Sequence, residues 1–236
     1  MSQAQAYSCL AVNANNYSNI GFTGTYKRTF IKLKEIIGEI KGKNWLDFGC
    51  GAGRSTSFLA DLGANPVGID KSREMVDKAK KNYEKRHCDF RWTLNGECNN
   101  LGLFDGALSI YVFLEMASKK EMVEALSWIY SHLHRNAPLF IATINPQGVG
   151  QQYDSWIHYG NPWSLKSGDP IMCLVDAKPT KVQIKDYYWT EGDYRSVLTD
   201  AKFTICDTFT NRKITATERG NPQDDDAWMI IKAIKE

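Results

Sequence analysis

Three glycines at alternate positions follow a short apolar run early in the chain. Residues 44–56 read NWLDFGCGAGRST, with glycines at positions 49, 51 and 53. The apolar run predicts a strand, and the residues after the glycines begin a helical pattern. Glycine adopts positive φ freely and lets a ligand approach the backbone, while a helix N-terminus offers free N–H groups. The stretch therefore predicts a strand, a ligand-binding turn and a helix.

Strand and helix patterns alternate along the following chain. Apolar runs predict strands, and segments with apolar residues three and four positions apart predict helices. The predicted strands are 45–48, 66–70, 90–94, 105–112 and 139–144, and the predicted helices are 29–40, 55–62, 72–83 and 119–133. This order predicts an α/β domain whose parallel sheet carries helices on both faces.

The alternation stops after the fifth strand. Residues 146–185 are rich in Gly, Pro, Trp and Tyr without a helical period, which predicts an insertion covering one edge of the fold. A short helix then precedes two closing strands, 203–217 and 227–233, and a hairpin between them predicts an antiparallel last strand. Residues 1–28 are polar and aperiodic. We expect an N-terminal cap segment there and one domain over 29–236.

The composition is that of an ordinary globular protein. The 236 residues include 29 Lys and Arg against 27 Asp and Glu, so the formal net charge is +2. This balance gives no general attraction to nucleic acid or an anionic membrane. None of the six cysteines forms a CxxC pair, so no metal site is predicted and reduced thiols in a cytoplasmic setting are favoured. Neither a signal peptide nor a membrane span is predicted.

Two acids beside the glycine turn narrow the choice of ligand. The spacing is G-x-G-x-G, not the G-x-G-x-x-G of dinucleotide sites. Asp47 precedes the first glycine, where a carboxylate would repel a pyrophosphate and suit an ammonium. Asp70 ends the second strand, where an acid conventionally accepts hydrogen bonds from ribose hydroxyls. A ligand with a ribose and a cationic end is therefore predicted, and S-adenosylmethionine has both.

These motifs resemble those of the class I S-adenosylmethionine-dependent methyltransferases, in their small-molecule branch. LDFGCGAGRS and VGIDKSREMVDKA resemble the first two family motifs, FDGALSIYVFLEM the fourth strand and LHRNAPLFIATINP the fifth. YYWTEGDYRSVLTDAKF and AWMIIKAIK resemble the closing helix and strands. The resemblance implies a Rossmann-like, doubly wound seven-stranded sheet with the last strand antiparallel, plus a cap inserted after the fifth strand. It also implies S-adenosylmethionine as the cofactor.

The resemblance further implies a set of cofactor contacts. They are Asp47, Gly49, Cys50 and Gly51 around the methionine moiety, Asp70 at the ribose, Lys71 and Met75 beside the adenine, and Ser109, Ile110 and Tyr111 beneath the sulfonium. The loop that would reach the adenine amine offers Asn95, Gly96 or Glu97, and the cofactor carboxylate is assigned to Tyr17 and Arg28. The Asn/Asp-Pro-Pro-Tyr tetrad that marks transfer to planar nitrogens does not follow the fourth strand.

Candidates for acceptor chemistry lie in the insertion and after the fourth strand. A hydroxyl or ammonium acceptor benefits from a positioned base. His158 is the first candidate, followed by Tyr111 and Glu115, and a purely structural role is the alternative for each. The aromatic residues of the insertion predict the core of a cap, a pocket for an apolar or aromatic small molecule, or both. They include Tyr153, Trp156, Tyr159 and Trp163.

The function predicted from these features is methyl transfer by in-line displacement to oxygen, nitrogen or carbon of a small molecule. Two alternatives stay open. One is a non-catalytic partner or scaffold that binds the cofactor, and the other is an RNA methyltransferase. The near-neutral charge makes a nucleic-acid partner the weaker reading. No membrane partner is predicted, and the oligomeric state is left open.

Overall fold

The architecture is built on two β-sheets, in a computed structural model that describes residues 20, 22, 24–93, 101–154, 156–177, 180–210 and 227–236. In chain order the strands are β1 (Asn44–Phe48), β2 (Asn65–Asp70), β3 (Asp89–Trp92), β4 (Gly106–Ile110), β5 (Pro138–Ile144), β6 (Trp156–Tyr159), β7 (Pro170–Ala177), β8 (Thr180–Tyr187), β9 (Phe203–Thr210) and β10 (Trp228–Lys235). Seven of them form one sheet in the order β3-β2-β1-β4-β5-β10-β9, and β6, β7 and β8 form the other.

The direction of the strands in the large sheet confirms the predicted fold class. β1 runs parallel to β2 and β4, and β4 runs parallel to β5. β10 pairs antiparallel with both β5 and β9. The sheet is therefore Rossmann-like and seven-stranded, with the last strand antiparallel. The chain passes from β1 outward to β2 and β3, and then crosses back to β4 on the other side of β1. This reversal makes the carboxyl ends of β1 and β4 a topological switch point, where ligands bind in such sheets.

Helices cover both faces of this sheet. They are α1 (Gly24–Ile37), α2 (Arg54–Asp61), α3 (Arg73–Asn82), α4 (Lys119–Ser131) and α5 (Glu191–Asp200). Consecutive residues of β5 point to opposite faces and so explain the two helix layers. Phe140 packs with Leu33 of α1 in one buried cluster, and Ile141 packs with Leu126 of α4 in another. Each face of the strand thus buries apolar side chains under a different helix layer.

Helix starts follow capping chemistry that is readable from the sequence. Ser72 caps α3 as predicted, with its Oγ accepting from the Met75 N–H. The Thr190 hydroxyl and the Asp193 carboxylate form a reciprocal capping box at the start of α5. α1 begins at Gly24, earlier than the predicted position 29. No helix in the described segments is long and apolar enough to cross a membrane.

The small sheet, called the cap sheet below, consists of β6, β7 and β8. Its strands pair antiparallel, with His158 opposite Cys173 and Cys173 opposite Ile184. The composition of residues 146–185 predicts an insertion but not these strands, so the strand content is a correction. β7 alternates buried Ile171, Cys173 and Val175 with more exposed neighbours, the period-2 pattern of a half-buried strand.

Candidate functional site

A cavity lies between the glycine turn and the cap sheet. One side is formed by the turn after β1, the end of β4 and parts of α1 and α3, and the other by the inner face of the cap sheet. The lining residues are Ile20, Tyr26, Gly49, Cys50, Gly51, Ala52, Arg54, Ser55, Asn82, Tyr83, Ile110, Tyr111, Leu114, Glu115, Ile144, Trp156, His158, Cys173, Val175, Ile184 and Asp186. The fold therefore brings the predicted cofactor turn and the predicted acceptor residues into one enclosure.

The three glycines of the turn all have positive φ. The values are 75° at Gly49, 50° at Gly51 and 94° at Gly53. The N–H groups of Gly49 and Cys50 both donate to the Ile69 carbonyl, at 2.9 Å, which ties the turn to the end of β2. Gly53 stands at the N-cap of α2. The turn is thus a fixed strand-to-helix corner whose backbone from Gly49 to Ala52 faces the cavity.

Some glycines are required by close packing within the protein. A Cβ at Gly49 would overlap the side chain of Val112, which follows β4. A Cβ at Gly68 of β2 would overlap the Thr56 hydroxyl on α2. Both positions let a neighbouring element come close, a role that glycine-rich nucleotide turns also use for helix–strand packing. Of the two glycines, Gly49 therefore both lines the cavity and seats the segment after β4.

Asp47 lies beneath the turn and organises it. Its Oδ2 accepts hydrogen bonds from the hydroxyls of Ser55 and Thr56, both at 2.6 Å. Its Oδ1 is buried without a hydrogen-bond partner among the described residues. Burial raises the pKa of Asp47 to about 6, and the hydrogen bonds from Ser55 and Thr56 oppose that rise. The free oxygen is the kind of acceptor that a cationic ligand group would satisfy.

Asp70 stands at the end of β2, beside the glycine turn. Its Oδ2 accepts from the Gly51 N–H at 2.8 Å, and its Oδ1 accepts from the Ser72 N–H at 2.8 Å. Burial raises the pKa of Asp70, and these two backbone bonds oppose the rise. Each carboxylate oxygen has a second lone pair. The half-buried group can therefore still accept from ribose hydroxyls, which fits the S-adenosylmethionine implied by the motifs.

An arginine other than the predicted one faces the cavity. Arg54, in the first turn of α2, donates from Nη2 to the Ile20 carbonyl at 2.6 Å. Its guanidinium lies 5.2 Å from the ring centre of Tyr26 on α1. Arg28 is exposed and does not line the cavity. Its contact with the cofactor carboxylate stays a prediction, and Arg54 is the better placed cation.

Tyr111 follows β4 directly and holds an uncommon backbone conformation. Its φ is 57°, and its N–H donates to the Ala142 carbonyl at 2.8 Å. Its hydroxyl lies 2.8 Å from the Thr29 hydroxyl on α1. Burial raises the pKa of the Tyr111 phenol. A bulky residue in this conformation is uncommon in proteins and recurs at functional sites, where surrounding structure holds it.

The cap sheet supplies a buried histidine–carboxylate pair. His158 Nε2 lies 2.7 Å from Asp186 Oδ2, and each residue is only 3% exposed. His158 Nδ1 and Asp186 Oδ1 have no hydrogen-bond partner among the described residues. Burial raises the pKa of Asp186, and the His158 bond opposes this. A carboxylate that orients an imidazole is the arrangement expected of a general base.

Cys173 completes this cluster on the neighbouring strand. One donor atom each from His158, Cys173 and Asp186 lies within 4.8 Å of the others, a spacing that could hold a metal ion. Burial, followed by the Asp186 charge, raises the pKa of the Cys173 thiol and favours its protonated form, whereas metal ligation requires the thiolate. The prediction of no metal has no test in this structure.

Glu115 faces the cavity from the segment after β4. It ends a short 3₁₀-helix, Phe113–Glu115, that packs against β8. Burial raises the pKa of Glu115 to about 8, the nearby Asp186 charge adds to the rise, and Lys71 opposes it. No hydrogen bond or ion pair of its carboxylate is found within the described ranges.

Replacing Glu115 by glutamine should remove a pH-dependent cost to stability. The folded state holds the Glu115 proton up to about pH 8, whereas the reference carboxyl loses it near 4.5. The wild type therefore loses stability relative to Glu115→Gln as pH rises through this window. We expect the Tm advantage of the variant to be larger at about pH 9 than at about pH 5. Thermal scans of the ligand-free protein measure this, with exposed Glu84→Gln as the control. An advantage that stays constant with pH would contradict the assignment.

The other predicted residues fall into three groups. Cys50 and Ile110 line the cavity, whereas Lys71, Met75 and Ser109 do not. The Ser109 hydroxyl donates to the Phe48 carbonyl at 3.1 Å and joins β4 to β1. Of the insertion aromatics, Trp156 lines the cavity, Tyr153 packs against the Trp156 ring, and Trp163 is 94% exposed. Tyr17, Asn95, Gly96 and Glu97 lie outside the described residues.

Comparisons with known proteins agree with this picture. Residues 46–136 match the profile of a methyltransferase domain. The N-demethylindolmycin N-methyltransferase of Streptomyces griseus is 28% identical over 162 residues, 67% of this chain and 68% of that protein. The ribosomal protein L11 methyltransferase of Burkholderia lata is 35% identical over 85 residues, 35% of this chain but only 28% of that protein.

A solved structure has the same fold over most of the chain. It is magnesium protoporphyrin IX methyltransferase from Synechocystis PCC 6803 with bound S-adenosylmethionine. Its TM-score is 0.57 at 18% identity, and the alignment covers 94% of this chain and 80% of that one.

Proposed function

Because the chain is a class I S-adenosylmethionine-dependent methyltransferase, we propose that it methylates a small molecule held between the glycine turn and the cap sheet. The cofactor is S-adenosylmethionine. One observation carries the proposal. The backbone of Gly49 to Ala52 lines the same cavity as His158 and Asp186. A cavity with the cofactor turn on one wall and the His158–Asp186 pair on the other is suited to an acceptor small enough to be enclosed entirely.

Different residues at the glycine turn bind different parts of the cofactor. Asp70 accepts hydrogen bonds from the ribose, and the unpartnered Asp47 oxygen provides an acceptor for the ammonium. Arg54 faces the carboxylate of the amino-acid tail, where a guanidinium suits a planar anion. These roles are supported by the half-buried Asp70, the unpartnered Asp47 Oδ1 and the place of Arg54 in the cavity lining. Asp47 and Asp70 themselves are not among the lining residues, and Asp47 is fully buried.

The acceptor wall positions the nucleophile and manages its proton. When bound, the cofactor supplies the electrophilic methyl carbon. His158 accepts the acceptor's proton, and Asp186 holds the imidazole ring in place through Nε2. Tyr111 and Leu114 shape the cavity between the two walls. Positioning of this kind accounts for much of the acceleration in a displacement reaction.

A small-molecule acceptor is supported by the cavity and by relatives. The N-methyltransferase of S. griseus is named for a low-molecular-weight acceptor, and its match extends over two thirds of both chains. The ribosomal protein relative matches over a much shorter segment.

We also place the protein in the cytoplasm, since four described cysteines (50, 88, 173 and 206) are free thiols.

Two measurements test the proposal. Calorimetry should detect S-adenosylhomocysteine binding by the wild type, and Gly51→Val should weaken it by about tenfold or more because the backbone approach closes. Gly42→Val is the matched control, since Gly42 also has positive φ and lies away from the cavity. A screen with methyl-labelled S-adenosylmethionine should then yield a methylated small molecule. No binding by the wild type would sink the proposal, and binding without product from any acceptor would favour a non-catalytic role.

A further inference from the structure

We propose that the acceptor atom is the nitrogen of a primary or secondary alkyl amine on an apolar body, received by the carboxylates of Glu115 and Asp186. This inference rests on the proposed function and names its substrate class. The feature that carries it is a pair of acids from different elements, Glu115 and Asp186, that line one cavity.

The charges along the cavity are unevenly placed. Arg54 is the one lysine or arginine among the described lining residues, and it stands at the glycine turn, bonded to the Ile20 carbonyl. Glu115, on the segment after β4, and Asp186, on the cap sheet, both line the cavity. The 3₁₀-helix that carries Glu115 packs against β8, which carries Asp186. Two acids thus share the cavity that the proposed acceptor would occupy.

These acids have unused hydrogen-bonding capacity. Asp186 is 3% exposed, and its Oδ1 has no partner among the described residues. The Glu115 carboxylate has no hydrogen bond or ion pair in the described part of the chain. Leaving the buried Asp186 Oδ1 without a partner is costly unless a ligand satisfies it, whereas the half-buried Glu115 carboxyl is open to a partner. An ammonium offers several N–H donors to both groups, and its positive charge lowers the pKa of Glu115, so that this carboxyl ionises as the amine binds.

The remaining walls define the body attached to that nitrogen. The neighbouring lining residues are aliphatic or aromatic, namely Tyr111, Leu114, Ile144, Trp156, Val175 and Ile184. Apolar side chains bury a hydrocarbon or aromatic body, and the faces of Trp156 and Tyr111 favour a nearby cation. A hydroxyl compound would gain the apolar contacts but would bring Glu115 and Asp186 neither a positive charge nor several N–H donors.

The chemistry balances for an amine. The acceptor enters as R–NH₃⁺ and transfers one N–H proton to His158, which leaves a lone pair on nitrogen. That lone pair forms the N–CH₃ bond while the S–CH₃ bond breaks, and its electron pair stays on sulfur as a neutral thioether. The product is R–NH₂⁺–CH₃, and the proton on His158 passes to water. No oxidant or further co-reactant is required.

The acids could instead serve the positive sulfonium of the cofactor. The two uses differ in a measurable way, because S-adenosylmethionine carries the sulfonium charge and S-adenosylhomocysteine does not. If Glu115 faces the acceptor, Glu115→Gln leaves the ratio of the two cofactor affinities unchanged. If Glu115 faces the sulfonium, the variant weakens S-adenosylmethionine selectively.

The test measures binding of matched arylalkyl amines and alcohols, such as 2-phenylethylamine and 2-phenylethanol, to the protein saturated with S-adenosylhomocysteine. We expect amines to bind about tenfold or more tightly than their alcohols, and Glu115→Gln to remove most of that preference without weakening the alcohols. Exposed Glu124→Gln is the control. Equal binding of the pairs, no amine binding across the panel, or selective loss of S-adenosylmethionine in Glu115→Gln would overturn the inference. Failure of the wild type to bind S-adenosylhomocysteine would instead remove the proposed function itself.

Discussion

Gly49→Ala is expected to abolish measurable S-adenosylhomocysteine binding and to lower the free energy of unfolding. Gly49 has a φ of 75°, which costs a residue with a Cβ about 1–2 kcal/mol. Its new Cβ would also overlap Val112, and such overpacking costs about 1–3 kcal/mol. Relief of the overlap moves the segment after β4 away from the turn. The glycine turn lines the cavity, and Val112 lies between the lining residues Tyr111 and Leu114. The cofactor site is therefore lost along with stability.

A double variant separates these two causes. Val112→Ala makes room for the new Cβ, so Gly49→Ala/Val112→Ala should recover the packing part of the lost stability and some cofactor affinity. The backbone part should stay lost. Gly42→Ala provides the measure of that part, since its φ is also 75° and no atom lies within 4 Å of its Cβ position. Denaturant unfolding and calorimetry give both quantities. Wild-type affinity in Gly49→Ala would contradict this account of the turn.

The large sheet can be predicted from local sequence because most of its strands have a recognisable hydrophobic pattern. β1, β2, β4 and β5 are apolar runs bounded by turn residues, and buried parallel strands require such runs. The helices between them show the spacing of one buried face. The antiparallel last strand follows from the hairpin needed to join β9 to β10. Local pattern and global topology agree here, so the pattern predicts the alternating elements and the parallel sheet, while the seven-stranded arrangement is implied by the family resemblance.

The cap sheet could not be derived in the same way. Its inner face includes His158 and Asp186, polar residues that a hydrophobic pattern does not count. In β8, Val182, Ile184 and Asp186 occupy alternate positions on one face of the strand. The charged residue at the third of these positions breaks the apolar half of the period-2 pattern. Polar residues at buried positions break the pattern where a site needs them. Sequence rules are therefore weakest at functional positions.

The cofactor turn shows what a motif predicts and what it leaves out. The glycines, Asp47 and Asp70 are recognisable from their spacing alone. Arg54 is not, since an arginine in a first helical turn is common and its use depends on Ile20 and Tyr26 lying above it. Asp186 is likewise invisible as the partner of His158, because the two residues are far apart in the chain. Only the register of three strands brings them to 2.7 Å.

His158→Gln is expected to lower methyl transfer by about 10²- to 10⁴-fold, the range usual for removing a positioned base. With Nε2 held by Asp186, Nδ1 is the nitrogen left to take a proton, and it has no partner among the described residues. S-adenosylhomocysteine affinity should be unchanged, since the glycine turn is on the opposite wall. The rate loss should therefore appear as reduced turnover of bound acceptor.

Asp186→Asn distinguishes this catalytic role from a packing role. The amide keeps the volume of the carboxylate but cannot hold the same ring tautomer or stabilise the protonated imidazole, so turnover should fall while the folded structure and cofactor affinity persist. Exposed His134→Gln is the matched control for the histidine change. Turnover equal to wild type in both His158→Gln and Asp186→Asn would exclude the base role. Loss of S-adenosylhomocysteine binding in both would instead assign the pair to the stability of the cap, because a base acts only after the cofactor is bound.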